Sequence, residues 1–273
     1  MTAPMVHSFT HEAMKTVFQL RLSAQNARLA RCASLDCFQR LDSIEESLSR
    51  HFPGSDVWQI NHMESGESLF VGEDCYQCLR LAMLAGQATG GLFDVTLGRL
   101  IEHQKSSTKG GPPELEGQFI IDETHPKVHC TESGRQIDLG GIGKGYALDV
   151  LAEICREWGI RAGILSAGAS THLAFGREPW EVLLRGDRHR HTLPVQGSAL
   201  SASGTGIQCN HIVNPSSRKD PCPPKRAWVR TRSAAIADAF STAALLATDP
   251  AALKQTDLQI EIFSESDEGI HPI

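Results

Sequence analysis

The stretch from Ile137 to Asp149, IDLGGIGKGYALD, constrains the fold more than any other part of this chain. Ile137 and Leu139 alternate about Asp138 as at the end of a strand. Four glycines (Gly140, Gly141, Gly143, Gly145) then surround a lone Lys144, and a helical pattern follows. Glycine lets backbone approach a ligand closely, and the N–H groups at a helix start favour anions. The loop therefore predicts a phosphate cradle, although a glycine-rich turn capping a helix would use the same residues. Two common cradles do not match. GxxxxGK[ST] fails because Asp138 stands five before Gly143 and Gly145 follows Lys144. GxGxxG fails because Tyr146 takes the place of the third glycine after Gly141 and Gly143.

The 273 residues suffice for one large core or two small ones, and 41% hydrophobic with 21% charged residues is an ordinary globular balance. A net charge of −6 argues against sequence-independent nucleic-acid binding, which needs a cationic surface. No apolar run approaches the ~20 residues that span a bilayer. The start, MTAPMVHSFTHEAM, lacks the basic and apolar regions of a signal peptide, so the expectation is a cytoplasmic chain, or an exported one whose leader was removed. Eight cysteines lack the spacing of a disulfide framework, and Cys75 and Cys78 sit on a helical pattern as packing thiols.

Hydrophobic periodicity predicts a strand over 17–23, a long amphipathic helix over 27–49, extended or turn-like chain over 56–61 and a helix over 74–88. A polar excursion is expected over 104–117, with strands over 118–121 and 127–130. A helix over 148–158 follows, then short strands over 163–166, 172–175, 180–184 and 191–195. The series closes with a helix from Ala234 and a last strand over 259–263. Strands and helices mix without strict βαβ alternation, so the fold class is α+β, with mixed sheets and packed helices in a single compact unit. Its expected extent is 5–265, with tails at 1–4 and 266–273.

Three places could carry chemistry. Asp94 lies between Phe93 and Val95, where an unpartnered carboxylate would be costly, so it is a cap or a ligand contact. Asp238 and Thr242, four apart on one helix face with Ser241 beside them, form a hard-oxygen set suited to Mg²⁺. The alternative is a carboxylate favoured by the helix dipole and a threonine bonded back to its helix. His211, between a small hydroxylated stretch and the Asn214-Pro215 turn, could present an imidazole to a substrate or be structural.

Read together, AMKT at 13–16, SDVWQIN at 55–61, GGLFDVTLG at 90–98, DLGGIGKGYALD at 138–149, SAGAST at 166–171, SASG at 201–204, HIVNP at 211–215 and ADAFSTA at 237–243 resemble the ApbE family, the FAD:protein FMN transferases. The resemblance runs from about residue 9 to 263. It implies an enzyme that takes FAD as substrate, cuts its diphosphate with Mg²⁺, transfers FMN to a threonine or serine hydroxyl of an acceptor protein, and releases AMP. It places Asp238, Ser241, Thr242 and the carbonyl of Gly141 at the metal. Met14, His51, Leu92, Phe93, Asp94, Asp138, Lys144 and Val213 fall at FAD contacts, and His211 at the base. Departures from the family pattern are Lys15 for a glycine, His51 for an aromatic residue, Asn214 for an aspartate and Ala169 for a glycine. They keep two other activities open: an FAD pyrophosphatase giving FMN and AMP, and a non-catalytic FAD-binding protein. The acceptor is not named by any motif.

Overall fold

Alternation along the early chain becomes a long hairpin, β1 (Met5–Ala13) against β2 (Thr16–Ala24), in the computed structural model, which describes residues 5–106, 111–204, 213, 215 and 226–273. The two-residue turn between them holds Met14 and Lys15 at φ 49° and 58°, in the left-handed region that favours glycine. The expected amphipathic helix is α1 (Ala27–Leu48), whose N-terminus is capped by Asn26. After it come α2 (Asp56–Ile60), β3 (Ser68–Phe70), α3 (Glu73–Ala88), α4 (Gly98–Ser106), β4 (Gln118–Ile121), β5 (Lys127–Glu132) and α5 (Gly143–Glu157). The second half runs β6 (Ala162–Ala167), β7 (Thr171–Phe175), β8 (Trp180–Arg185), β9 (Arg190–Val195), β10 (Ser198–Gly204), β11 (Arg226–Thr231), α6 (Ala234–Leu246), a 3₁₀ turn, β12 (Glu261–Ser266) and β13 (Gly269–Pro272).

Among the described residues an antiparallel sheet runs in the order β1-β2-β6-β7-β10-β11-β12-β13. One face of it packs on the helices through Phe18, Leu20, Leu165 and Val229. Its other face is covered by the β8–β9 hairpin, with Trp180, Val182, Leu193 and Val195 meeting Ile164, Leu200, Trp228 and Phe263. A small sheet, β3-β5-β4, stands apart. This is the α+β arrangement of sheets and packed helices expected from the pattern, with the described strand pairs antiparallel rather than mixed. No described helix is long and apolar enough to cross a membrane.

The middle of the helix layer is α6. Every one of its residues is buried except Thr242, so it is apolar on all sides for the reason that all sides are packed. Its start is fixed by α5. The Asp149 carboxylate accepts from Ser233 Oγ at 2.7 Å and from the N–H groups of Ala234 and Ala235 at 2.8 and 3.0 Å. Burial nevertheless raises the Asp149 pKa. A Cβ on Gly145 would stand 2.1 Å from the Ala234 carbonyl oxygen, so only glycine lets the two helix starts touch.

Four expectations are corrected. Residues 56–61 contain the helix α2, capped by Ser55, because a five-residue helix is too short to show periodicity. The helix expected to begin after the glycines and to continue over 148–158 begins inside the glycine run, at Gly143. Residues 98–106 are helical although 104–117 reads as polar loop. The stretch 266–273 is not a tail: β13 pairs with β12 and buries Ile270, an apolar residue isolated among polar neighbours. Cys75 and Cys78 are core residues of α3, and burial raises both thiol pKa values.

The Gly145 contact yields a test. Gly145→Ala should cost about 3 kcal/mol by overpacking against backbone and lower Tm by roughly 10 °C, whereas Gly111→Ala, which meets open space, should stay within ~0.5 kcal/mol. Calorimetry on the two variants checks this.

Candidate active site

A cleft of about 990 Å³ opens where the glycine loop, the β1–β2 turn, the 92–95 segment and α6 converge. Of the residues singled out in the sequence, Met14, Leu92, Phe93, Asp94, Asp138, Gly141, Lys144, Val213, Asp238 and Thr242 line it. They come from positions 14 to 242, brought together only by the fold. His51 is exposed and not part of the lining, because it follows the end of α1. Burial, then Lys15 and Arg50, hold its pKa below the ordinary histidine value. His211 lies outside the described residues.

Asp238 is 4% exposed and its two carboxylate oxygens face different partners. Oδ1 accepts from Ser201 Oγ at 3.0 Å and Thr171 Oγ1 at 3.3 Å. Oδ2 lies 3.4 Å from the Gly145 N–H and 3.5 Å from Lys144 Nζ. Buried charge is tolerated only when partnered in this way. One turn on, Thr242 Oγ1 meets Ser203 Oγ at 3.2 Å, and a Cβ built on Gly141 would approach that threonine hydroxyl to 3.7 Å. Ser241 is fully buried and turned back into the helix layer: its hydroxyl donates to the Asp238 carbonyl at 2.8 Å and meets Ser203 Oγ at 2.8 Å. Of the two hydroxyls, Ser241 is the one bonded back to the helix, and Thr242 meets Ser203 instead.

The glycine loop is held from behind. Asn61 brackets Ile137, donating to its carbonyl at 2.9 Å and accepting from its N–H at 2.6 Å. Asp138 accepts from the Gly140 N–H at 2.8 Å and from Arg50 Nη1 at 3.1 Å. Burial raises the Asp138 pKa, but the Gly140 amide and the Arg50 guanidinium outweigh it, and the group sits below the ordinary aspartate value. Lys144 also donates to the Gly140 carbonyl at 3.1 Å. Asp94 serves its own turn, accepting from Thr96 N–H at 2.8 Å and Thr96 Oγ1 at 2.7 Å, with Arg135 at 3.1 Å. It closes a turn rather than capping the start of α4, and it lines the cleft as well.

Residue-type reasoning missed Ser201, Thr171, Ser203, Arg50 and Asn61. Their signal was weak because small hydroxylated residues and one arginine on a helix end are common everywhere. Hard oxygen donors on one wall, an ammonium beside them and a flexible glycine backbone opposite suit a phosphate ester held near a cation.

Comparison with known proteins covers the segments that form the cleft. The family model described as the ApbE family matches residues 14–263. A FAD:protein FMN transferase of Klebsiella pneumoniae (strain 342) is 24% identical over 237 residues, spanning 78% of this chain and 73% of that protein. Among solved structures, the flavin transferase ApbE from Vibrio cholerae has a TM-score of 0.83 at 17% identity, covering 99% of this chain and 97% of its own. The apo form of Pseudomonas stutzeri flavinyl transferase ApbE has a TM-score of 0.84 at 18% identity, over 100% of this chain and 95% of its own. The structural likeness shows the fold, and the family model, covering all of the cleft-forming segments, shows the membership: this chain belongs to the ApbE family.

Proposed function

We propose that this chain cleaves the diphosphate of FAD and transfers FMN to the hydroxyl of a threonine or serine on an acceptor protein, releasing AMP, with Mg²⁺ at the Asp238 end of the cleft. The observation that carries the reading is one juxtaposition: a buried carboxylate and an adjacent cleft-facing hydroxyl from α6 meet the glycine loop and Lys144 in a single cavity. The names carried by relatives, FAD:protein FMN transferase and flavin transferase, support the same chemistry.

In this reading the acceptor oxygen forms a bond to the FMN phosphorus, the bond from that phosphorus to the bridging oxygen breaks, and AMP leaves with the bridging oxygen. The hydroxyl proton passes to a base, the role carried over to His211. Lys144 and the glycine backbone hold the phosphates, while Asp138, fixed by Arg50, keeps the loop in shape. Met14, Leu92, Phe93, Asp94 and Val213 would border the rest of the dinucleotide.

The donor set fits Mg²⁺. Asp238, Thr242 and the Gly141 carbonyl are hard oxygens, and no group of three or more His, Cys, Asp or Glu residues stands together among the described residues. Water and substrate oxygens would therefore complete the shell, as Mg²⁺ prefers. Bound there, the ion offsets charge that develops on the phosphate oxygens during transfer. Ser241 acts behind this shell, through Ser203 and the Asp238 carbonyl.

Incubation with FAD, Mg²⁺ and an acceptor should give covalent flavin fluorescence on the acceptor and AMP in solution. Free FMN and AMP formed without an acceptor would instead mark hydrolysis. Asp238→Asn should lower labelling on the order of 10²–10³-fold by removing charge stabilisation at the metal. His211→Ala should lower it roughly 10²–10⁴-fold while FAD still binds. Full activity in either variant would remove that residue from its assigned role.

A further inference from the structure

The cleft does not stop at Asp238. It continues past the β6–β7 turn, Gly168 to Ser170, to the opposite face of the large sheet, where Ile164, His172, Leu200 and Trp228 line it. One strand joins the two lobes: Thr171 of β7 bonds Asp238, and its neighbour His172 faces the second lobe. The far wall of that lobe is β8. Five consecutive residues, 181–185, border the cavity. Successive strand side chains point to opposite faces, so a cavity bordered by an unbroken run meets the strand along its edge.

That edge is open. Among the described strands β8 pairs with β9 alone. The hairpin closes with the Gly186 N–H donating to the His189 carbonyl at 2.8 Å. By alternation, Arg185–Arg190, Leu183–Thr192 and Glu181–Pro194 then fall at positions that exchange no ladder hydrogen bonds. Pro194, with no N–H to give, fits such a position. The carbonyl of Arg185 accepts from the Arg226 guanidinium, and that of Pro194 from Arg230 Nη1 at 3.3 Å, so both point out of the hairpin. The backbone groups of Glu181 and Leu183 thus face away from β9, on the side of the cleft.

An open strand edge along a cleft is a template for an added strand. Charge specifies what would add. Arg21, Arg185 and Arg226 line this lobe against one acidic residue, Glu181, and Arg226 is already shared with Asp187 at 3.0 Å. We infer that the open edge of β8 binds an extended, acidic polypeptide segment. Resting on the transfer reading above, that segment is the stretch of the acceptor protein that carries the target hydroxyl toward Asp238.

The test uses the full chain and a fluorescein-labelled peptide of about ten residues, glutamate-rich around a central threonine, long enough to span the strand edge. Fluorescence anisotropy should show binding that weakens with salt. Leu183→Pro removes one outward N–H and keeps the ladder to β9, a placement proline tolerates on edge strands. It should weaken peptide binding about five- to tenfold, the loss of one main-chain hydrogen bond, whereas Leu183→Ala should leave it nearly unchanged. FAD affinity, read by flavin fluorescence, serves as the control for folding. If Leu183→Pro loses FAD as well, the double variant Arg21→Glu, Arg185→Glu replaces it and should weaken the peptide while sparing FAD. The inference is overturned by absence of salt-sensitive binding in the wild type, by equal binding in the wild type and the informative variant, or by a self-associating wild type that Leu183→Pro makes monomeric. That last result would give the edge to a second copy. Peptide binding is read without turnover, so its loss leaves the transfer reading standing, and a failed transfer assay leaves the peptide result standing.

Discussion

The contact between the starts of α5 and α6 is the constraint on which the rest depends. Asp149 on α5 accepts from three groups at the head of α6, and Gly145 removes the one side chain that would hold the helices apart. With the heads joined, Asp238 reaches the first turn of α5 and lies within 3.5 Å of Lys144. A carboxylate four residues into a buried helix is costly alone. Here Ser201, Thr171, Gly145 and Lys144 surround it, drawn from two strands and the glycine loop.

This geometry also explains why the large sheet can serve two sides. Its helix-facing side supplies the hydroxyls of Thr171, Ser201 and Ser203 to the Asp238 network. On the other side, alternate residues of the same strands meet the β8–β9 hairpin. The period of two along a strand thus puts the Asp238 network and the hairpin contact on opposite faces of one sheet.

How much of this was legible in the sequence follows from the range of each signal. Local patterns sustained over many residues survived: α1, α3 and β2 stand close to where periodicity put them. Gly140, Gly141, Gly143 and Gly145 marked the loop because glycine clusters before a helix are locally unusual. Elements set by distant partners were not legible. The strand β1 is exposed along most of its length and owes its place to pairing with β2, and β13 owes its place to β12. Asp238 and Thr242 were visible as one face of a helix, yet only the fold distinguishes Thr242, open to the cleft, from Ser241, turned away from it. Arg50 and Asn61, which fix the glycine loop, act across 76 residues or more, a separation that no local pattern spans.

Lys15 remains as a feature of this particular chain. It occupies a left-handed turn where glycine would be unstrained, and it lines the cleft. The central claim, that the oxygen donors of α6 and the glycine loop share one cation, is tested most directly by crystals grown with Mn²⁺ and ADP and measured at the manganese absorption edge. The account predicts one anomalous peak bordered by Asp238, Thr242 and the Gly141 carbonyl, with phosphate oxygens on its open side. A peak elsewhere in the cleft, or ADP bound with its phosphates turned away from the glycine loop, would contradict it.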